Sequence, residues 1–109
     1  MKLFMRVFAE CDSATTAEAI STQVLAALSS LDVVAEAAPK PYWKISQYFE
    51  FTFSALPADD ASRQQIINLC AEGWVHHRDE HDCSSVWNKT GEESFLALPV
   101  KWAEVQLHA

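Results

Sequence analysis

The sequence predicts an α+β fold: an antiparallel sheet with two helices on one face, in the βαββαβ order of a ferredoxin-like sandwich with one extra C-terminal strand. Three observations predict it. Residues 2–10 alternate apolar and other side chains with a period of two, and residues 42–56 do so again. Two further stretches, one between these segments and one after them, carry apolar residues at three- and four-residue spacing. With 109 residues the chain makes one domain, 1–109, large enough to bury a core of its own.

The first strand, 2–10, puts Leu3, Met5, Val7 and Ala9 on one face and Lys2, Phe4, Arg6, Phe8 and Glu10 on the other. Asp12-Ser13 supplies a turn or N-cap, and Thr15 or Thr16 followed by Glu18 strengthens a helix start. Ala17, Ile20, Val24, Leu28 and Leu31 then form one apolar stripe on a helix of about four turns. Val33-Val34 opens a second strand, which Pro39-Lys40-Pro41 interrupts or bends.

From Tyr42 to Leu56 the alternation resumes, with Trp43, Ile45, Phe49, Phe51, Phe53 and Ala55 on one parity. Either this is one long strand or Ser46-Gln47 marks a bend; two antiparallel strands in all are expected between the helices. Pro57 closes the segment, and Asp59-Asp60 suits a helix N-terminus, where carboxylates accept free amide protons and favour the dipole. Ile66, Ile67, Cys70 and Trp74 continue at helical spacing, with Gly73 a natural C-cap. Segment 82–88 reads as a strand, 89–93 as a polar turn and 100–108 as the last strand, with Ala103, Val105 and Leu107 opposite Trp102, Glu104 and Gln106. Both helices would cover one sheet face, leaving Phe4, Phe8 and Trp102 on the other. Aromatic side chains on an uncovered face point to a partner, a ligand or a dimer mate.

Fifteen acidic residues against eight basic ones give a formal net charge of −7. Such a field steers a basic partner and keeps the body soluble. Nucleic acid and anionic membranes are poor partners, because the eight Lys and Arg lie scattered among more numerous acids. Residues 1–7 are too short and too interrupted for a signal peptide, and no apolar run approaches the roughly 18 residues of a membrane span. Cys11, Cys70 and Cys83, odd in number and widely spaced, do not form a disulfide framework. A cytoplasmic protein is expected.

No catalytic signature accompanies the charge. The segment 76–83, His-His-Arg-Asp-Glu-His-Asp-Cys, holds plausible zinc ligands, but it has neither CxxC nor HExxH. Adjacent His76 and His77 would also face opposite ways on a strand. The same segment reads as a solvated loop, or as an acidic lobe in which Asp79, Glu80 and Asp82 dock on the Lys and Arg of a partner. Thiol chemistry would pair Cys83 with His81, yet with two glycines in the chain there is no Gly-rich oxyanion loop. The pairs Asp59-Asp60 and Glu92-Glu93 are explained by capping and solvation rather than by glycoside chemistry. Neither GxGxxG nor GxxxxGK[ST] occurs. No enzyme, metal or cofactor is expected. Of the four tryptophans, Trp74 and Trp87 read as core, while Trp43 and Trp102 suit either core or interface.

Pro41-Tyr42-Trp43-Lys44, Tyr48-Phe49-Glu50, Ser85-Val86-Trp87-Asn88, Phe95 and Val100-Lys101-Trp102-Ala103-Glu104-Val105 resemble small bacterial immunity proteins of polymorphic, or contact-dependent growth inhibition, toxin systems. The resemblance covers about half the chain. It implies a small cytoplasmic protein that binds and neutralises the toxin domain of its own system, often a nuclease with a basic surface. Such proteins share no single fold, so it transfers no residue. The candidate partner-binding residues, chosen on charge and exposure, are Asp79, Glu80, Asp82, Glu92, Glu93, Trp43 and Trp102. The alternative is a ferredoxin-like homodimer holding a small molecule against the open sheet face, with Phe4, Phe8 and Trp102 lining the pocket. A metal-dependent enzyme using His76, His81 and Cys83, or an adaptor subunit without a toxin, are the remaining expectations.

Overall fold

The computed structural model describes residues 1–69, 73–79, 82–89 and 99–108. Strand β1 (Lys2–Glu10) leads into helix α1 (Ala14–Ala27) and a short 3-10 turn (Ser29–Leu31). Two short strands, β2 (Val34–Ala35) and β3 (Lys40–Pro41), precede the long β4 (Tyr48–Ala55). Helix α2 (Asp60–Ile67) follows, then β5 (Trp74–Arg78), β6 (Asp82–Asn88) and β7 (Val100–His108). Every paired neighbour is antiparallel, in the order β2-β4-β1-β7-β6-β5, with β3 also pairing with β4.

The alternation in the sequence sets the two faces. Leu3, Met5, Val7 and Ala9 of β1, Phe49, Phe51, Phe53 and Ala55 of β4, and Ala103, Val105 and Leu107 of β7 are buried. Ala17, Ile20 and Val24 of α1, Leu28 after it, and Ile66 of α2 close over them in one cluster. The fold is therefore α+β, with both helices on one face of an antiparallel sheet. Trp87 and Cys83 of β6 extend that core, and Trp74 packs at its edge. A bulge in the β1–β7 ladder, where Phe8 opposes Trp102 but Ala9 opposes Val100, inserts Lys101. The extra residue lets Val100 and Ala103 both point inward while Trp102 turns to the open face.

The strand order departs from the predicted sequence of elements. Among the described residues three strands, β2, β3 and β4, lie between the helices rather than the expected two, and three rather than two follow α2, the last of them, β7, beside β1. After α2 the missed strand is β5. Trp74 shares helical spacing with Ile66 and Ile67, but α2 ends at Ile67, and Gly73 at φ 98° turns the chain into β5. Between the helices, Ser46-Gln47 is indeed a break: β4 begins at Tyr48, and Trp43 and Ile45 stand exposed instead of sharing the buried parity.

Both helix starts follow the local chemistry. Ser13 caps α1, its Oγ accepting from the Thr16 amide at 3.2 Å, while Thr16 Oγ1 donates to Asp12 at 3.1 Å. Asp59 caps α2 through the Ser62 amide at 3.0 Å, with the Ser62 hydroxyl reaching back to the Asp59 amide at 3.4 Å.

Candidate functional site

The face of the sheet that carries no helix among the described residues bears a continuous row of aromatic rings. Trp43 stands 6.2 Å from Tyr42, Tyr42 lies 4.4 Å from Phe8, and Phe8 lies 5.1 Å from Trp102, measured between centroids. β1 and β7 supply Phe8 and Trp102 as a cross-strand pair, and Tyr42, just past β3, folds back over them by donating its amide to the Tyr48 carbonyl at 2.8 Å. Two of the sequence-predicted residues, Trp43 and Trp102, thus belong to one surface. Trp43 ends the row with 83% of its surface exposed, and the Lys44 ammonium lies 5.0 Å over its ring.

Asp79 and Asp82 do not join that surface. Asp79 and Asp82 close the β5–β6 turn, the Asp79 amide donating to the Asp82 carbonyl at 2.8 Å. Asp82 also takes the His108 ring nitrogen Nδ1 at 3.1 Å. Asp82 and Asn88, the cross-strand partner of Trp102, stand six positions apart along β6, so Asp82 and the row lie roughly 20 Å apart at about 3.3 Å per residue. Glu80, Glu92 and Glu93 lie outside the described residues, as do His81 and Cys70.

Next to the row, Arg6, Phe8, Tyr42, Tyr48, Asn88 and Trp102, with Ile45 at the rim, enclose a cavity of about 480 Å³. Among the described residues Arg6 is the one charged side chain lining it. Its side chain is 41% exposed, and its guanidinium sits 5.9 Å over the Phe4 ring. Glu50 approaches Nε to 3.7 Å, beyond hydrogen-bond reach, and shares itself with Lys40 at 3.4 Å. Nε of Arg6 is the one buried side-chain nitrogen or oxygen among the described residues with no hydrogen-bond partner. Arg6 shares the parity of Phe4 and Phe8 in β1, so the alternation already places it on this face. Tyr42, Tyr48 and Asn88 carry no comparable signal, because their placement depends on how β3, β4 and β6 pair.

Two other hollows lack such a wall of aromatic rings. One of about 890 Å³ beside the start of α1 is lined by Glu10, Cys11, Asp12 and Thr16. Asp12 and Thr16 are bonded to each other at the helix start, Glu10 faces Lys101 at 3.9 Å, and burial, followed by the Asp12 charge, pushes the Cys11 thiol up from its ordinary range. A thiol so held is a poor nucleophile. The other, about 260 Å³, lies at the β5–β6 turn beside His77, Asp82 and His108. Among the described residues no three His, Cys, Asp or Glu side chains gather as a metal would need. His76 is instead bound through Nδ1 to Ser85 Oγ at 2.7 Å.

Among the described residues no helix is long and apolar enough to cross a membrane. No protein-family model matches this chain, nor does any curated protein or any solved structure.

Proposed function

We propose that this chain is a non-enzymatic immunity protein that binds the toxin domain of a contact-dependent or other polymorphic toxin system and blocks it through the helix-free sheet face. One observation carries the reading: the row Trp43-Tyr42-Phe8-Trp102 on a face that neither helix covers. Large rings with few torsions are the usual anchors of protein interfaces, and a tryptophan left 83% exposed forgoes burial that a partner would restore. The net charge of −7 supports a basic partner, such as a nuclease, approaching by electrostatic steering. In this reading Asp79 and Asp82 act at long range rather than as the anchor, and Glu80, Glu92 and Glu93 add to the charge that attracts the partner. The protein works in the cytoplasm, where such a toxin acts, and contacts neither nucleic acid nor membrane itself.

The same reading treats β2-β4-β1-β7 as a ferredoxin-like unit widened by the β5–β6 hairpin. What supports it is that α1 links β1 to β2 with β4 between them, the split arrangement of that fold.

The test is a pull-down of the tagged chain from its native cells, followed by affinity measurement with the toxin domain recovered. Trp43→Ala with Trp102→Ala should weaken binding by about 30-fold or more, the cost of about 2 kcal/mol expected of a buried anchor. Asp79→Lys with Asp82→Lys should mainly slow association and flatten its salt dependence. Unchanged affinity in the tryptophan pair would remove the aromatic row from the interface. Failure of the chain to protect cells from that toxin domain would remove the immunity reading itself.

A further inference from the structure

We infer that the cavity beside the aromatic row is a binding site for a small planar aromatic carboxylate, held by stacking on the ring wall and by the guanidinium of Arg6. This goes beyond the docking of a toxin domain and stands without it.

Three features point to that ligand class. The volume, about 480 Å³, falls within the roughly 300–1,000 Å³ of small-molecule sites. The wall is built of aromatic side chains, with Phe8 between Tyr42 at 4.4 Å and Trp102 at 5.1 Å and interplanar angles of 33° and 38°. A flat ring entering beside Tyr48 gains offset stacking there that an aliphatic group does not. Finally, among the described residues that line the cavity the one charged group is a cation. Glu50 and Glu104, the carboxylates nearest Arg6 along the ladders, are not part of its lining.

Among the described residues Arg6 has one loose ion pair: Glu50 stands 3.7 Å from Nε and divides its charge with Lys40. Nε itself is enclosed, beyond a ligand's reach, but the side chain as a whole is 41% exposed. A guanidinium matches a carboxylate with charge-assisted hydrogen bonds. A ligand carboxylate would meet the exposed part of the Arg6 side chain, and Asn88 and the two tyrosine hydroxyls could fix its orientation.

Titration of the full, isotope-labelled chain with indole-3-acetate, followed in amide and indole ¹H–¹⁵N spectra, tests the site. Saturable shifts are expected at Phe8, Tyr42, Asn88 and Trp102. Indole-3-acetamide, the same ring without the charge, should bind about ten-fold more weakly. Arg6→Gln should bring acetate down to the acetamide value and leave acetamide unchanged, with the rest of the spectrum preserved. Trp102→Ala should weaken both probes. Equal affinity for the two probes in the native chain would overturn the role of Arg6. Absence of saturable shifts, or shifts centred on another surface, would overturn the site.

Discussion

Arg63 and Ser85 meet inside the molecule: Nη1 of the guanidinium donates to Ser85 Oγ at 2.7 Å, with Arg63 4% and Ser85 0% exposed. The guanidinium is completed by Asp60, whose Oδ1 accepts from Nε at 3.0 Å and also attracts Arg78 at 3.5 Å. Because Ser85 accepts from Arg63, its own proton is free for Nδ1 of His76. One polar chain thus fastens α2 to both β6 and β5. A buried cation of this kind is costly unless each donor is met.

Ser85→Ala should therefore cost more than a surface change. It leaves a buried charged donor unpaired, and urea unfolding should show a loss of about 1.5–3 kcal/mol. Adding Arg63→Met removes that orphan, so the double variant should be less destabilised than the sum of the two single changes. Strict additivity in that cycle would show that the two side chains are not coupled.

Gly73 allows the turn that the periodic reading missed. At φ 98° it holds a conformation that side chains with Cβ rarely take, and a Cβ there would stand 2.7 Å from Nε1 and 2.8 Å from Cδ1 of Trp87. Trp87 is a core ring and cannot yield freely. Gly73→Ala should cost about 2 kcal/mol or more, combining backbone strain with overpacking. A melting temperature equal to that of the native chain would contradict this placement of β5 against β6.

The elements that the sequence displays best are those whose burial follows one period throughout. β1 alternates without a fault from Lys2 to Glu10, and α1 keeps Ala17, Ile20 and Val24 on one stripe, so both were legible. β5 was not, because Val75, His76, His77 and Arg78 are all exposed and Trp74 alone reaches the core, leaving no alternation to detect. The Trp43 end of the 42–56 segment misleads for a related reason. Its parity matches Phe49, but the break before Tyr48 cancels the relation. At the candidate site, Trp102 and Phe8 were visible through their opposition to buried neighbours. The cavity was not, since it forms where Tyr42 returns over β1, and Tyr42 takes its place through one backbone hydrogen bond to Tyr48. Charge and expected exposure alone group Asp79 and Asp82 with the tryptophans, and those criteria say nothing of which end of the sheet a residue occupies.

Acid should loosen the molecule through its caps. Hydrogen bonds from the Ser62 amide and hydroxyl hold the Asp59 carboxyl below its ordinary range, and a hydrogen bond from Ser54, with Lys2 beside it, does the same for Glu36. A depressed folded value means that the unfolded chain takes up the proton first. The contribution is therefore complete above the ordinary carboxylate range and is lost as pH falls through the depressed values. Melting temperature should drop below about pH 4. Asp59→Asn keeps the capping acceptor but removes the titration, so its melting temperature should fall less steeply over the same interval. An identical slope in that variant would assign the acid loss to other groups.

Trp43 and Trp87 should separate binding from stability. Trp87 is fully buried against β7, and Trp87→Ala should cost about 3–5 kcal/mol, enough to threaten folding of a domain this size. Trp43 is 83% exposed and touches the rest of the chain through Tyr42 and Lys44. Trp43→Ala should change stability by no more than about 0.5 kcal/mol in urea unfolding. If the ring is held at the surface for a partner, its loss appears in association and nowhere else. A stability loss above about 1 kcal/mol for Trp43→Ala would instead mark the ring as part of the fold, clamping Tyr42 over β1, and would withdraw it as an anchor.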